Sequence, residues 1–496
     1  MKKIQSILLT LGIIVLISGS SEVYGQGWGE MSTVPAWQDP WQSYQVSNVS
    51  NEMPQFPPQT MPVPPPPQQQ AIPYYPAPNY TTDRSLGELT REVEDLKREL
   101  AKKSDKPDPS KGFTTPKISG RVFMDSVNIV DQDDDGSSFR GHNSFGFREA
   151  RLGAAGTAYD FLDYKFEIGF ETNNGANFKD VFLGIKYVPL LGYVRVGNHF
   201  VEDAGSEISN SPTNYTFMET PAPAGDLFTS RRLGISSRHL FARDRVRLHL
   251  GTYGAKNVSG THQWIDSNQG FLLNARLTHA LMFQREGKNI FLYGGYYSFT
   301  DPSDANQRYA RVRPGGWDLD MGYFSSDISA DHIQKAGFET VYQNGAFCLQ
   351  TDLFMRHFSN AANSGDATMY GGFLMGRYFL TQGDYRKYSL ENASWGSVTA
   401  NRPFLLFQRG SSNFIQGPGA WEIASYYGFL NTDDFKNTGV TYYGTDHQIG
   451  AALNWYWNPQ LKWTLNYIHQ MADITSGVDS YKPSVDVVAL SCRFHW

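Results

Sequence analysis

The side chains able to do chemistry in this chain are charged, and they recur at a spacing of two. Glu149 and Arg151, Lys165 and Glu167, Asp180 and Lys186, Arg195, Arg247, Arg276, Glu422, Lys462 and Arg493 all lie in short stretches whose alternate residues are largely apolar. Carboxylates and basic groups gathered on one wetted face attract, repel and orient ions, and rings of such charge set ionic selectivity. Any one of them is equally a solvated or salt-bridged wall residue. A second group lies in Val201–Ser230. Glu202, Asp203, Glu207, Glu219 and Asp226 occur there with no Lys or Arg before Arg231 and Arg232. A third is Asp131, Asp133 and Asp135 followed by Gly136, the spacing that begins a calcium loop. His142 stands at the twelfth position, where such a loop needs a bidentate Glu, so the same stretch also reads as a solvated, self-repelling loop. No Gly-x-Ser-x-Gly, His-Glu-x-x-His or phosphate-loop pattern is present. The expectation is therefore a protein that is not an enzyme and uses no cofactor.

A period of two is the signature of β-strands, whose successive side chains point to opposite faces. In "YKFEIGFET", Tyr164, Phe166, Ile168 and Phe170 alternate with Lys165, Glu167, Gly169 and Glu171. "KDVFLGIKY", "RVRLHLGTY", "QIGAALNWY" and "LKWTLNY" repeat the pattern. The final stretch "VDVVALSCRFHW" puts Val488, Leu490, Cys492, Phe494 and Trp496 on one face. Aromatic content is 14%, yet mean hydropathy is −0.44. Many aromatics with a polar average suit a barrel that meets lipid outside and water inside. The balance of 43 basic against 49 acidic residues gives no nucleic-acid footprint. Cys348 is expected on an inward face and Cys492 on an outward one, unpaired.

The chain divides by composition. Residues 1–25 read as a signal peptide: Lys2 and Lys3 precede the apolar run Ile7–Ile17. No later apolar run reaches 18 residues, so any membrane crossing is through strands. Residues 26–80 are a Pro/Gln-rich linker without the means to pack a core. Residues 81–105 carry Leu86, Leu89, Val93, Leu96 and Leu100 at heptad a/d spacing, a short coiled-coil helix. Residues 106–116 are a second linker. Residues 117–496 hold the alternating segments, split by Gly, Asn, Asp and Pro clusters.

Within 117–496 tight connectors such as "VPLLG" and "WNPQ" alternate with long polar ones at 131–144, 201–230 and 300–331. Short turns at one end and long loops at the other are the pattern of an outer-membrane barrel. The length predicts about 16 antiparallel strands. Eighteen result if Arg308–Phe324 adds a hairpin to the wall, and we favour leaving that stretch in a loop. A last strand ending on an aromatic must pair with the first, because an open edge is not tolerated in lipid.

Several stretches resemble the phosphate-selective porin O and P family: "FREARLGAAGTAYDFLDYKFEIGF", "KDVFLGIKYVPLLGYVRVGNHF", "RRLGI", "YFLTQGDYRKY", "GAWEIASYY" and "LNWYWNPQLKWTLNYIH". The resemblance implies a transmembrane antiparallel β-barrel, a homotrimer, and passive diffusion of small hydrophilic solutes or ions, phosphate among them. It also implies that Val201–Ser230 folds inward as a constriction loop. Two departures remove positive charge: Tyr426 and Thr220 stand where the family commonly has Arg. With the acidic loop, they lead us to expect a neutral or cation-favouring channel. The expected location is the outer membrane of a Gram-negative-type bacterium, in contact with its lipid, with the N-terminal extension in the periplasm. A second reading makes the barrel an anchor whose extension tethers the membrane to the cell wall or a partner.

Overall fold

A computed structural model describes residues 112–132, 143–172, 175–221, 228–255, 270–302, 307–312, 323–407 and 414–496. The signal peptide, the Pro/Gln-rich linker and the coiled-coil helix expected at 1–105 lie outside these residues. Alternation becomes sixteen long strands: β1 Lys117–Gln132, β2 Ser144–Ala158, β3 Leu162–Thr172, β4 Gly175–Val188, β5 Gly192–Phe200, β6 Arg231–Phe241, β7 Val246–Gly254, β8 Phe271–Gln284, β9 Asn289–Asp301, β10 His332–Asn344, β11 Phe347–Ser359, β12 Ala367–Phe379, β13 Ala420–Asn431, β14 Tyr443–Asn458, β15 Leu461–Ser476 and β16 Ser484–His495.

Each strand pairs antiparallel with its sequence neighbours, and β1 pairs with β16 from Arg121↔His495 to Gln132↔Val485. The sheet is thereby a closed cylinder with every wall strand flanked on both sides, which leaves no edge. The stretch considered for two further strands forms a ladder of its own, Gln307–Val312 with Tyr323–Ile328, that takes no part in the wall. The sixteen-strand expectation holds.

Parity sorts the side chains. On β16, Leu490 and Phe494 are exposed, as is the terminal Trp496, while Val487, Ala489, Ser491 and Arg493 are buried. Phe166, Phe170, Leu183, Ile185, Leu250, Ile449 and Tyr467 are exposed on the other strands. Arg247, His249, Gln448, Asn454 and Thr464 between them are buried. Apolar groups outside and polar groups inside invert the pattern of a soluble core. Cys348 is buried, Cys492 is half-buried, and both are free.

One end of the barrel carries tight turns. Ala242, Arg243 and Asp244 between β6 and β7 all adopt the left-handed region, with φ of 49°, 58° and 62°. The opposite end carries the long connectors. Among the described residues two connectors run into the cylinder. Val201–Pro221 enters from the loop end, after β5. Residues 380–419 join β12 to β13 at the turn end, and part of this connector also turns inward. A long connector at that end departs from the strict short-turn pattern expected there.

Candidate functional site

The interior charges are organised as pairs. On β1–β4, Arg121 contacts Glu149 at 2.6 Å, and Arg151 contacts Glu149 at 2.8 Å and Glu167 at 3.4 Å. Lys165 reaches Asp180 at 2.6 Å and Glu167 at 3.3 Å, and Arg231 meets Asp180 at 2.5 Å. Neighbouring strands thus place opposite signs side by side, which makes this sector mixed instead of uniformly basic or acidic. A cavity of about 170 Å³ lies against it, lined by Arg121, Arg151, Lys165 and Glu167 and by Ser211 and Thr213 of the inward segment. Lys186 pairs with Asp163 at 2.7 Å. Arg195 lies over Phe182 and Tyr193, 5.4 and 5.6 Å from the ring centres.

The acidic residues of Val201–Pro221 turn toward the wall. Glu202 meets Arg247 at 2.8 Å, Asp203 meets Lys335 at 2.6 Å, and Glu207 meets Arg377 at 3.3 Å. Glu219 pairs with Arg148. Burial disfavours the charged form of Glu202, yet Arg247, His249 and Arg276 together outweigh it and hold this carboxyl well below the usual carboxylate range. Glu202, Asp203 and Glu207 are almost fully buried. These carboxylates are tethers, and the described acids of the loop that the sequence marked as acidic are each compensated by a cation. Asp226 lies outside the described residues. Arg232 donates to the carbonyls of Ala255 at 3.2 Å and Arg231 at 2.9 Å.

The tip of the segment is held through its own carbonyls by two wall cations and by one cation of the connector 380–419. Arg493 donates to Pro212 O at 2.5 Å, Arg386 to Asn214 O at 2.5 Å, and Lys462 to Tyr215 O at 2.6 Å. Arg121 donates to Ser211 Oγ at 3.0 Å. Carbonyl dipoles, unlike carboxylates, do not cancel the positive charge of Arg493. The apolar side of the segment is equally fixed. Ile208, Phe217 and Met218 pack with Phe354, Phe373, Met375 and Tyr426. Phe217 meets Tyr426 edge to face, ring centres 4.7 Å apart, and Tyr426 donates to Gln448 Oε1 at 3.0 Å. The position where the family commonly has Arg is thus a packing site for the inward segment.

The second inward segment, from the turn end, brings residues that parity reasoning did not find. Arg386 forms a bidentate pair with Glu422, at 2.9 Å from Nε and 2.8 Å from Nη2. Burial works against this guanidinium, but Glu422 prevails and holds it protonated more firmly than usual. Trp395 donates to Gln350 Oε1 at 2.9 Å and carries Arg377 over its ring at 4.2 Å. Arg276 pairs with Glu339 at 2.7 Å and donates to Ala393 O at 3.0 Å, and Arg247 donates to Glu391 O at 2.6 Å. Asn214 donates to Trp395 O at 3.0 Å. The two segments, entering from opposite ends, therefore meet inside the cylinder.

Arg148 escapes parity for a local reason. The β1–β2 ladder passes from Phe123↔Glu149 to Met124↔Phe147, skipping Arg148 in a bulge. A bulge lets two successive residues share a face, and Arg148 reaches Asp125 and Glu219 beside Glu149. Among the described residues no group of three or more His, Cys, Asp or Glu could hold a metal. Asp131 is exposed on β1, and Asp133 and Asp135 lie outside the described residues.

A family model described as phosphate-selective porin O and P matches residues 118–495. Solved structures of similar outline include a loop-deletion mutant of OmpT, an outer membrane protein of Vibrio cholerae, at 12% identity and TM-score 0.48, covering 78% of this chain and 100% of that one. Salmonella typhi OmpF in complex with daunomycin aligns at 13% identity and TM-score 0.47, covering 77% and 97%. An anion-selective porin from Comamonas acidovorans aligns at 14% and 0.44, covering 77% and 99%. No curated protein matches the chain in sequence.

Proposed function

The chain belongs to the phosphate-selective porin O and P family, and from that premise we propose a channel for small hydrophilic solutes that favours anions. It is an outer-membrane porin, and family and fold point to a channel instead of an enzyme. The observation that carries the anion preference is the unequal way the interior charges are compensated. The carboxylates of the inward segment are each bound to a wall cation. Lys462 and Arg493, at the tip of the same segment, are held by backbone carbonyls, and Arg195 rests on aromatic rings. The residual field at the narrow region is then positive, which favours anions in a low-dielectric constriction. Glu149, Arg151, Lys165, Glu167, Asp180 and Arg231 form a mixed wall beside it that hydrogen-bonds solutes of either sign. Phosphate is one such anion.

In this reading the exposed apolar face meets outer-membrane lipid, the turn end faces the periplasm, and three copies assemble as a homotrimer. The N-terminal extension then lies on the periplasmic side. The experiment is a planar-bilayer recording of the purified protein across a KCl gradient. Triplet conductance steps and a reversal potential of chloride-selective sign are expected. A potassium-selective sign overturns the charge argument, and absence of conductance overturns the channel.

A further inference from the structure

One buried point belongs to both inward segments and to the wall. Ser206, on the segment from the loop end, donates from its backbone N–H to Glu339 Oε2 at 2.8 Å and from its hydroxyl to the same oxygen at 2.6 Å. Its Oγ lies 2.7 Å from the hydroxyl of Tyr388, on the segment from the turn end. Arg276 Nη2 donates to that Oγ at 3.3 Å and to Ala393 O at 3.0 Å. A serine hydroxyl carries one proton and two lone pairs. With its proton committed to Glu339, it accepts from Arg276, and Tyr388 must be the donor of the remaining bond. Ser206, Arg276, Glu339 and Tyr388 are all at most 5% exposed. The contact is therefore shielded from water and competes with no solvent hydrogen bond.

The position next to it is fixed as tightly. Gly205 N donates to Asp352 Oδ2 at 2.8 Å, on the strand facing Glu339. A Cβ on Gly205 would stand 2.6 Å from that oxygen. The segment approaches the wall backbone-first here and has no freedom to slide.

We propose that Ser206 is a positioning residue that couples the two constrictions, so that the segments from the two ends yield together instead of independently. The proposal rests on the porin reading above and adds a regulation to it. The coupling follows from the single hydroxyl: while Tyr388 donates to it, displacing one segment strips a hydrogen bond from the other. A lost buried hydrogen bond of ordinary strength changes a two-state population by roughly three- to tenfold.

The test is single-channel recording of the full chain with Ser206→Ala, Tyr388→Phe and the double variant. Tyr388→Phe should raise the occupancy of subconductance states by roughly three- to tenfold, and Ser206→Ala, which also gives up the contacts with Glu339 and Arg276, by at least as much. The double variant should show no more than Ser206→Ala alone, because the bond that Tyr388→Phe removes is already absent there. Ser206→Thr, which keeps the hydroxyl, should restore the native record, which a merely space-filling role would not require. Additive effects in the double variant, or a Tyr388→Phe record identical to the native one, overturn the coupling. If the native protein conducts nothing, the porin reading fails and this proposal with it. Conductance with additive effects overturns the coupling alone.

Discussion

Arg386 and Glu422 meet through two parallel hydrogen bonds of 2.9 and 2.8 Å, joining the inward connector from the turn end to β13. Both side chains are at most 1% exposed. Tyr456 and Asn454 add bonds of 2.9 Å each to the same carboxylate oxygen. Removing one partner of such a pair strands the other charge away from water, at a cost of about 3–5 kcal/mol. Arg386→Ala is therefore expected to lower the unfolding midpoint in denaturant and to raise single-channel conductance, since the connector loses its clamp. Arg386→Lys keeps the charge and forfeits the fork, and should fall between the two. Unchanged conductance in Arg386→Ala would show that this connector does not narrow the passage.

Charge compensation by carbonyls makes a prediction about selectivity. Arg493→Gln with Arg195→Gln removes two cations that have no carboxylate among their described hydrogen bonds and ring contacts. The chloride-to-potassium permeability ratio should fall, measured as a shift of reversal potential in a salt gradient. The same exchange at Lys165, which sits between Asp180 and Glu167, should move the ratio less. A larger shift at Lys165 than at the other pair would contradict the charge argument.

Gly205→Ala tests how closely the inward segment approaches the wall. The added methyl would stand 2.6 Å from Asp352 Oδ2 and 3.1 Å from Glu339 Cβ. Overpacking of this kind costs about 1–3 kcal/mol. Increased open-channel noise and a lower denaturation midpoint are the expected outcomes. A variant identical to the native protein in both would mean that the segment is free to shift.

Glu202 gives a pH dependence. Its folded pKa is depressed, by cations that outweigh its burial. The tether therefore contributes its full stability above the unfolded value of about 4.3, and loses it as pH falls through the lower folded value. The stability difference between the native protein and Glu202→Gln should be constant from about pH 8 to about pH 5 and shrink below about pH 4. Denaturant midpoints at a series of pH values measure it. A difference that vanishes already at pH 6 would rule the tether out.

Period-two alternation made the wall legible. Arg493 between Cys492 and Phe494, or Lys462 between Leu461 and Trp463, needs no more than counting to be assigned to the inner face, and strand number followed from length. What counting could not supply was partnership. Glu202 and Arg247, or Asp203 and Lys335, come together only because a loop crosses the cylinder, and no local pattern in the acidic stretch records which cation each acid meets. Arg148 was hidden by a bulge that breaks parity. Arg386, Tyr388 and Trp395 were hidden by the expectation that connectors at the turn end are short. A signal was present: "YFLTQGDYRKY" is followed by a long stretch without regular alternation, too long for a turn. Tyr426 in place of an arginine was visible as a lost charge, and its use as a ring against Phe217 was not.

The ladder of Gln307–Val312 with Tyr323–Ile328 hydrogen-bonds to itself and lends no rung to the cylinder. The strands on either side of it, β9 and β10, pair with each other without it from Asn289↔Asn344 to Thr300↔Ile333. The staves of the barrel stay joined without this appendage, while Ile328 at its foot is buried among interior side chains and pins it to the barrel. A peptide grafted into it would leave the hydrogen bonds of the wall intact as long as Ile328 keeps its buried place.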